Sequence, residues 1–518
     1  MPSSLPAGRT PMLSRINTIT FNGLEISDVD LQAQISSGLP NFIIVGLPDK
    51  AIAESRERVR SALQSLGLSL PAKRIVINMA PADLFKEGSH FDLPIALSLL
   101  AVMGIVPQEE LSDYLVLGEL GLDGSILPVN GVLPVAIKAN RKNLGLICPA
   151  ACGSEAVWSG LSNIVAADNL LSLINHLKGI QTLPRPTAQK APVSGTLLDM
   201  SEVKGQESAK KALEVAAGGG HNLLMIGPPG SGKSMLAARL PGILPPLTPE
   251  EALETSMIHS IAGELKDGRI SFERPYRAPH HNASTPALVG GGRKAQPGEI
   301  SLAHHGVLFL DELPEFNRTT LEALRQPLEN GCVSISRVNA HTTYPVDFQL
   351  IAAMNPCRCG HLGDPSRECP RAPRCAEEYQ AKISGPLLDR IDIHIEVPAV
   401  SPWDLAGVKK GETSAAIRQR VIKAREIQTA RFRQLGEKKL CTNAQLKGKL
   451  LEEVAALDND AKELLVTFAG RNKLSARAYH RTLRLARTIA DLQNESKILK
   501  LHIAEALSYR PKLSSHRQ

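Results

Sequence analysis

One phosphate-binding loop constrains this chain more than any other feature. The stretch LLMIGPPGSGKS at residues 223–234 is an apolar strand followed by a Gly-x-x-x-x-Gly-Lys-Ser loop, and the helical segment MLAARL comes next. Glycines let backbone N–H groups close around phosphates, and the N-terminus of the following helix favours negative charge. We therefore expect a nucleotide to be bound by Gly227, Pro228, Pro229, Gly230, Ser231, Gly232, Lys233 and Ser234.

Two further apolar strands end in polar residues that suit ATP hydrolysis. GVLFLDELPEF leads to Asp311 and Glu312, and FQLIAAMNP leads to Asn355. Lys233 is expected to reach the β- and γ-phosphates, while Ser234 and Asp311 hold Mg²⁺. Glu312 would act as the base or orient the attacking water, which Asn355 would polarise from a neighbouring strand. The second carboxylate indicates an ATP-hydrolysing motor rather than a binding switch.

Two arginines later in the chain are candidates for stabilising the γ-phosphate during its transfer. Arg390 lies in SGPLLDRIDIHIEV, and Arg477 lies at the head of a basic helix in LSARAYHRTLRLARTIADL. Arginines supplied in cis or by a neighbouring subunit stabilise the charge that spreads over the phosphoryl oxygens. For Arg390 the spacing leaves a second interpretation open, which is an ordinary salt bridge to Asp389 or Asp392.

Length and composition indicate a globular protein of several domains. The chain has 518 residues, enough for about three domains at roughly 150 residues each. Its longest apolar run, LPIALSLLAVMGIVP at 93–107, is too short to span a bilayer and is typical of a buried helix. The N-terminus has no hydrophobic signal core. We expect a cytoplasmic protein without a membrane partner, whose thiols stay reduced.

The pattern of apolar residues divides the chain into segments. Short β-rich runs alternate with helical segments up to residue 180 and again over 199–400, and a Pro-rich stretch lies between them. Beyond residue 400 the period is almost entirely helical. We expect a disordered N-terminus at 1–15, an α+β domain at 16–180, a linker at 181–198, a nucleotide-binding α/β core at 199–400 and a helical domain at 401–518.

Charge is distributed unevenly along the chain. The formal net charge is +7, and residues 471–518 alone contain eleven Lys/Arg against three Asp/Glu. A basic surface of this size suits an anionic partner such as nucleic acid or nucleotide. A solvated helical surface is the other interpretation, and charge alone leaves both open.

Four of the eight cysteines form a Cys-rich insertion at 357–375 within the nucleotide-binding core. Cys357, Cys359, Cys369 and Cys375 have the spacing C-x-C-x₉-C-x₅-C. Four thiolates from one short loop are enough for a closed tetrahedral Zn²⁺ site, which would be structural because no position remains for water. His361 could replace one thiol. Unligated reduced thiols and a redox or iron–sulfur role are the alternatives.

The motifs GPPGSGKS, LFLDELPEF, AAMNPC, SGPLLDRIDIHIEV and LSARAYHRTLRLARTIADL resemble those of magnesium-chelatase-like AAA+ ATPases, and within these the YifB/ComM group of competence-related helicases. The resemblance covers nearly the whole chain. It implies an AAA+ P-loop α/β core with a C-terminal helical lid, assembled as a homo-hexamer with ATP and Mg²⁺ between subunits. It also implies that Asn355 is the first sensor, Arg390 an arginine finger acting in trans, and Arg477 the second sensor.

Ring ATPases of this clade carry two loops toward the pore, and here both would be basic. They correspond to residues 272–299 and 331–348, whose side chains could follow a phosphate backbone. Since aromatic residues are few, we expect sequence-independent binding of single-stranded or branched DNA, although the histidines could simply pack within the loops. Adjacent histidines at 280 and 281 are expected to point apart. The candidate DNA contacts are Arg277, His280, His281, Arg293, Lys294, Arg337 and His341.

The N-terminal segments FKEGSHFDLPIALSLLA and VLGELGLDGSILPVNGVLPVAI resemble the Lon-type protease domain. In active members a serine nucleophile is activated by a lysine. Here His90 stands at the place of the nucleophile and Leu133 at the place of the lysine. Ser89 therefore has no evident base, and we expect an inactive protease domain that helps assemble the ring or hold DNA.

The resemblance and the hydrolysis residues together predict an ATP-driven DNA translocase. Its expected role is helicase or branch-migration activity in homologous recombination during natural transformation. The alternative is a chelatase-type AAA+ ATPase that remodels proteins through partner subunits. A nucleotide-gated scaffold without catalysis is disfavoured by the intact Asp311-Glu312 pair.

Overall fold

The computed structural model describes residues 13–47, 49–191, 198–292, 295–337, 340–362, 369–399 and 411–510. They form an N-terminal α/β domain, a second α/β domain and a C-terminal helical region. Residues 1–12, 192–197 of the expected linker, 400–410 and 511–518 lie outside this description. The first strand begins at Leu13, so residues 13–15, which were expected to be disordered, are part of a strand.

The N-terminal domain is built on a seven-stranded mixed sheet of order β3-β4-β2-β1-β5-β8-β9. β2 pairs antiparallel with both β1 and β4, while the remaining neighbours are parallel. A two-stranded β6-β7 ribbon lies apart from the sheet. The strands are β1 Leu13–Asn22, β2 Glu25–Ser36, β3 Asn41–Val45, β4 Arg74–Ala80, β5 Tyr114–Val116, β6 Glu119–Leu120, β7 Ile126–Leu127, β8 Gly145–Pro149 and β9 Ile164–Ala167.

Helices cover this sheet and supply much of its core. They are α1 Asp49–Ser65, α2 Asp92–Val102, α3 Gln108–Ser112, α4 Val132–Arg141, α5 Gly153–Val157 and α6 Leu170–Leu177. Every residue of α2 is buried, because its sequence is apolar on all sides and offers no face to water. The buried helix expected from the longest apolar run is therefore confirmed.

The second domain contains a five-stranded parallel sheet of order β11-β14-β17-β10-β18. All residues of β14 and β17 are buried, as expected for parallel strands that are covered on both faces. The hairpins β12-β13 and β15-β16 stand outside the sheet. The strands are β10 Leu223–Ile226, β11 Tyr276–Arg277, β12 Gly290–Gly291, β13 Gln296–Pro297, β14 Val307–Leu310, β15 Cys332–Arg337, β16 Ala340–Pro345, β17 Gln349–Met354 and β18 Ile393–Glu396.

Ten helices accompany the described part of this domain. They are α7 Glu207–Gly219, α8 Lys233–Ala237, α9 Leu240–Ile243, α10 Pro249–Ala262, α11 Thr285–Val289, α12 Glu299–Leu302, α13 Arg318–Ala323, α14 Arg325–Asn330, α15 Arg374–Gln380 and α16 Gly385–Leu388. α10 begins with a capping box, in which Thr248 and Glu251 satisfy each other's backbone N–H groups. Alternation of parallel strands and helices confirms the α/β class expected for this part of the chain.

The described elements of the C-terminal region are all helices, as the sequence predicts. Its helices are α17 Ser414–Gln434, α18 Gly448–Val454, α19 Asn459–Arg471, α20 Ala476–Leu492 and α21 Lys500–Ser508. They share one hydrophobic core with α7 and the sheet of the second domain. Across the described residues of all three regions, every helix is too short or too polar to cross a membrane.

The N-terminal domain is fastened to α10 by a buried carboxylate. Glu155 accepts a hydrogen bond from the backbone N–H of Leu133 at 2.9 Å and another from the hydroxyl of Ser260. The described part of the Pro-rich stretch, which ends at Ala191, also contacts the second domain. The backbone N–H of Ala191 donates to the carbonyl of Ile270 at 3.0 Å. This part of the expected linker therefore packs against the second domain rather than merely spanning the gap.

Three arginines of the basic helix α20 point inward, so part of the positive charge of residues 471–518 is neutralised within the chain. Arg481 and Arg484 approach Asp392 at 3.8 and 3.4 Å, and Arg487 approaches Asp491 at 3.1 Å. Arg481 and Arg487 are buried and Arg484 is largely buried. These three cations therefore bind carboxylates of the same chain, and they contribute neither a solvated face nor a surface for an anionic partner.

Candidate functional site

The phosphate-binding loop connects β10 to α8 at the carboxyl edge of the parallel sheet. Gly230 and Gly232 have φ of 75° and 89°, a left-handed conformation that favours glycine. At Gly227 an added Cβ would lie 2.1 Å from the carbonyl oxygen of Val397 at the end of β18. Both the turn and its close approach to the neighbouring strand therefore require these glycines.

Lys233 is folded back over the loop. Its Nζ donates to the carbonyls of Gly227 and Pro228, both at 2.8 Å, and lies 3.3 Å from Oδ1 of Asn355. Burial lowers the pKa of the Lys233 ammonium, while the charges of Asp311 and Glu312 act in the opposite direction. The ammonium is thus held at the loop by neutral oxygens that phosphate oxygens could replace.

A hydroxyl and a carboxylate meet at the tip of β14. The Ser234 hydroxyl donates to Oδ2 of Asp311 at 2.6 Å, and the other oxygen of Asp311 accepts from the backbone N–H of Glu312 at 2.9 Å. Hydroxyl and carboxylate oxygens are hard ligands of the kind that Mg²⁺ prefers. The donor set therefore fits the expected magnesium ion.

Glu312 projects from an unusual backbone position. Its φ of 52° and ψ of 46° are left-handed, and its side chain is 51% exposed. Nδ1 of His281 lies 3.4 Å from its Oε2, and the His281 ring meets Phe316 edge to face. A half-exposed carboxylate beside the phosphate loop can reach a water molecule, while a histidine from another segment lies within contact distance.

Asn355 ends β17, which lies between β14 and β10 in the sheet. Asp311 and Asn355 thus follow two adjacent strands, and Lys233 opens α8 after the loop that follows the next strand, β10. The structure brings together the loop, the Ser234-Asp311 pair, Glu312 and Asn355, and such a set can bind a nucleoside triphosphate and activate water against its terminal phosphate.

The two candidate arginines lie elsewhere, and both act electrostatically on Glu329. Arg390 forms an ion pair with Glu329 and donates to the carbonyl of Pro386 at 2.6 Å. The salt bridge to Asp389 or Asp392 considered for Arg390 is replaced by this pair. The hydrogen bond from Arg390, and then the charges of Arg390 and Arg477, lower the pKa of Glu329. Among the described residues, neither guanidinium contacts the phosphate loop of its own chain.

The candidate DNA contacts separate into three groups. Arg277 lies in β11 rather than in an exposed loop, and its guanidinium pairs with Glu299 at 2.6 Å and Glu264 at 2.8 Å. His280 and His281 do not point apart, since their ring centroids are 4.1 Å apart with the ring planes tilted by 33°. The remaining candidates fall on residues or side chains outside the description, namely Arg293, Lys294, Arg337 and His341.

Two residues near the loop were not expected there. Gln206 donates to the carbonyls of Ser231 at 3.2 Å and Pro398 at 2.6 Å, and so ties the loop to the strand beside it. A lone glutamine before a helix carries no signal for such a role. His281 was expected at the pore, and its approach to Glu312 depends on tertiary packing that spacing does not reveal.

The four cysteines of the insertion converge on one point. Their sulfur atoms all lie within 4.8 Å of one another, and those of Cys357 and Cys359 are 3.2 Å apart. Cys357 and Cys369 are buried, Cys375 is half-buried and Cys359 is exposed. Backbone N–H groups of Gly360, His361 and Leu362 donate to the sulfur of Cys357. Converging sulfurs with N–H donors around them fit a tetrahedral zinc site.

In the N-terminal domain, the residues at and next to the expected protease positions make contacts that do not form a catalytic site. The Ser89 hydroxyl donates to the carboxylate of Glu119, and Leu133 is fully buried. His90 is buried and approaches the carbonyl oxygen of Ile19 at 3.1 Å. Ser89, His90 and Glu119 line a cavity of about 270 Å³ that reaches the second domain.

Comparison with known proteins follows the same three regions. The family of magnesium chelatase subunit ChlI matches residues 199–405, its C-terminal family matches 411–510, and a further family for subunit ChlI of Mg-chelatase matches 31–151.

Full-length relatives are also found. Protein YifB of Salmonella typhimurium is 44% identical over 499 residues, covering 96% of this chain and 97% of its own. Competence protein ComM of Haemophilus influenzae is 44% identical over 495 residues, covering 94% and 95%. The magnesium-chelatase 67 kDa subunit of Chlorobaculum parvum is 27% identical over 165 residues, which are 31% of this chain and 24% of that subunit.

Proposed function

Because this chain belongs to the YifB/ComM family of magnesium-chelatase-like AAA+ ATPases, we propose that it is a hexameric motor that hydrolyses ATP and translocates on DNA. Its role would be helicase or branch-migration activity in homologous recombination during natural transformation. The observation that carries the ATPase part is the 2.6 Å pair of Ser234 and Asp311 beside Lys233, Glu312 and Asn355. The name of the Haemophilus relative, a competence protein, supports the biological role.

Hydrolysis can be divided among the side chains of this site. Lys233 would exchange the carbonyls of its own loop for β- and γ-phosphate oxygens. Glu312 would take a proton from the attacking water, and Asn355 would hold that water by its side-chain amide. Ser234 and Asp311 would hold Mg²⁺, which neutralises charge that develops on the phosphate oxygens.

Arg390 and Arg477 would complete the site of a neighbouring subunit. In a ring, a surface arginine of one chain can reach the γ-phosphate bound to the next. The position of Arg390 and Arg477 beside Glu329, away from their own loop, supports this assignment. The ion pair with Glu329 would then open when Arg390 turns toward a phosphate, which offers a stronger anionic partner.

DNA would be bound by the hairpin regions rather than by α20. Arg293, Lys294, Arg337 and His341 remain the candidate contacts, together with His280, which is exposed. Arg277 is better assigned to holding the insert in place, because two glutamates already neutralise its charge. Contacts of this kind reach phosphates and carry no base sequence information.

The cysteine cluster would bind structural Zn²⁺ through Cys357, Cys359, Cys369 and Cys375. The small separation of the four sulfurs supports this proposal, as does the donation of backbone N–H groups to Cys357. A short polar loop has little core of its own, so the metal would supply much of its folding free energy. One equivalent of zinc per purified chain is expected by elemental analysis.

The N-terminal domain would be a Lon-like domain without peptidase activity. Its support is the buried Leu133 at the position of the expected lysine and the engagement of Ser89 with Glu119. Its attachment to α10 through Glu155 suits a role in ring assembly or in holding DNA.

The decisive experiment measures ATPase activity with and without single-stranded and branched DNA, together with a gel shift and strand displacement. We expect hydrolysis that DNA stimulates and displacement that needs hydrolysable ATP. Absence of both a gel shift and any stimulation would contradict the DNA part of the proposal.

A chelatase-type remodelling ATPase is the second candidate. The match to a magnesium-chelatase subunit over 165 residues favours it, although most of that subunit lies outside the match. ATP hydrolysis that responds to a protein partner and to no DNA would select this alternative.

A further inference from the structure

The cysteine cluster lies directly beside the nucleotide site. The chain leaves β17 at Met354, passes Asn355 at the phosphate loop and reaches Cys357 two residues later. After Cys369 it forms α15, which contains Cys375 near its start. Gln380 at the end of α15 donates to the carbonyl of Pro356 at 3.0 Å and so closes the loop at its base.

One contact joins the cysteine turn to the phosphate loop. Gly360 lies between Cys359 and His361 and has a φ of 82°. A Cβ added to Gly360 would lie 2.5 Å from Cδ and 2.8 Å from Cγ of Pro229. The backbone at 360 therefore packs against the proline of the phosphate loop with no room for a side chain.

A second set of contacts leads from α15 to Glu315, three residues after Glu312. Tyr379 is buried, and burial together with the charges of Glu315 and Glu312 raises the pKa of its phenol to about 12. Lys382 lies over the Tyr379 ring, 5.5 Å from its centroid, and pairs with Glu315 at 3.3 Å. The second end of the cysteine insertion therefore contacts the segment that follows Glu312, while its first end contacts the phosphate loop.

We propose that metal binding by the four cysteines and nucleotide binding by the phosphate loop are coupled through the contact of Gly360 with Pro229. The inference rests on the zinc site and the nucleotide site of the proposed function. Zn²⁺ bound to Cys357 and Cys359 holds the turn that carries Gly360. Loss of the metal releases that turn, and Pro229 of the phosphate loop then loses its packing contact with the backbone of Gly360.

Coupling of this kind is reciprocal. If zinc tightens nucleotide binding by a given factor, nucleotide must tighten zinc binding by the same factor. Typical coupling between two sites spans about 5- to 150-fold in affinity. For two sites joined by one packed contact we expect a factor of about ten.

The first test measures zinc transfer from the full chain to a chromogenic chelator, with and without a non-hydrolysable ATP analogue. We expect the analogue to raise the apparent zinc affinity about ten-fold. Equal zinc affinity in both conditions overturns the coupling and leaves the ATPase proposal intact. A purified chain that holds no zinc overturns the metal site as well, whereas a chain that binds zinc and nucleotide but does not hydrolyse ATP contradicts only the proposed function.

The second test replaces Gly360 by alanine. We expect Gly360→Ala to keep one equivalent of zinc and to bind a fluorescent nucleotide about ten-fold more weakly. Gly436→Ala is a matched control, since Gly436 has the same φ of 82° but no neighbouring atom within 4 Å of an added Cβ. Equal nucleotide affinity in the two variants overturns the proposal.

A third variant covers the case in which Gly360→Ala does not fold. Pro229→Ala removes the ring from the other side of the same contact. We expect zinc to remain bound, with an affinity that no longer responds to the ATP analogue at concentrations that saturate the variant. Retention of the ten-fold response in Pro229→Ala would exclude this contact as the route of coupling.

Discussion

Polar groups around the phosphate loop form hydrogen bonds with one another, and the oxygens of a bound nucleotide can take the place of these partners. Lys233 donates to two carbonyls of its own loop, and the Ser234 hydroxyl is directed at Asp311. Each of these groups is therefore pre-positioned, and little reorganisation is needed when phosphate and magnesium oxygens arrive. Substitutions at these positions are expected to affect either binding or chemistry in a separable way.

Glu312→Gln should separate hydrolysis from binding. The amide keeps the size of the side chain but cannot take a proton from water, so turnover should fall by about 100-fold or more while nucleotide affinity stays near that of the wild type. Phosphate release and binding of a fluorescent nucleotide would be measured in parallel. Glu315→Gln is the control, because Glu315 pairs with Lys382 on the surface and should keep normal turnover. Full activity of Glu312→Gln would remove this residue from its role.

Lys233→Ala should abolish turnover by a different route. Without the ammonium, the β- and γ-phosphates lose a charge-assisted partner, so nucleotide binding should weaken together with a loss of activity of about 100-fold or more. The same two assays distinguish this result from that of Glu312→Gln. Normal nucleotide affinity in Lys233→Ala would show that the ammonium contributes only to chemistry.

Spacing alone could predict the residues that belong to one continuous strand, loop and helix. Lys233, Asp311 and Asn355 each follow a buried strand, and parallel strands bring their ends to one edge of a sheet. Gln206 and His281 could not be predicted in this way, since their contacts with the site depend on how separate segments pack. The ion pair of Arg390 with Glu329 could not be predicted for the same reason, because Asp389 and Asp392 are much nearer to Arg390 in sequence.

At the level of elements, helix α20 connects the C-terminal region to the parallel sheet. Asp392, just before β18, accepts from His221 at 3.0 Å and lies beside Arg481 and Arg484. Burial would raise the pKa of Asp392, but Arg484 and His221 outweigh it and lower the pKa to about 2. One ionised carboxylate thus holds two arginines and a histidine at the junction.

Asp392→Asn should destabilise this junction by about 3 kcal/mol, because two buried cations lose their shared anion. The denaturation midpoint would be compared with that of Asp460→Asn, an exposed acid on α19 that should change stability little. In the wild type the contribution of Asp392 is complete above its ordinary pKa of 3.8 and is lost as pH falls toward 2. A variant as stable as the wild type at pH 7 would contradict the assignment.

Element types were largely predictable, whereas the surroundings of their charged faces were not. The apolar runs of β14 and β17 and the helical period of the last hundred residues lead to the observed classes. The charge of α20 was misleading because Asp392, which pairs with Arg481 and Arg484, lies about 90 residues earlier in the sequence. A count of arginines carries no information about the aspartates that fold against them.

For the whole molecule, the surface that contains Arg390, Arg477 and Glu329 is the expected contact with a neighbouring subunit. Its arginines lie away from their own phosphate loop, so a single chain would lack the residues that stabilise the transferred phosphoryl group. Activity should therefore depend on assembly and fall when the protein is diluted.

Mixing two inactive variants tests this dependence. Arg390→Ala should lower turnover by about 1,000-fold or more, since an arginine finger contributes on that scale. In rings mixed with Lys233→Ala, some sites combine an intact loop with an intact arginine from the neighbour, so part of the activity should return. Mixed rings with no more activity than either parent would show that Arg390 acts within its own chain.

The turn between β1 and β2 lies on the β15-β16 hairpin. Thr342 of the hairpin donates to Asn22 at 2.7 Å, and a Cβ added to Gly23 would lie 1.9 Å from the methyl group of Thr342. Glu155 of the N-terminal domain also bonds to Ser260 of α10, so the N-terminal domain contacts the second domain at both α10 and the β15-β16 hairpin. Any displacement of the β15-β16 hairpin would therefore be transmitted to the N-terminal domain through the turn at Asn22 and Gly23.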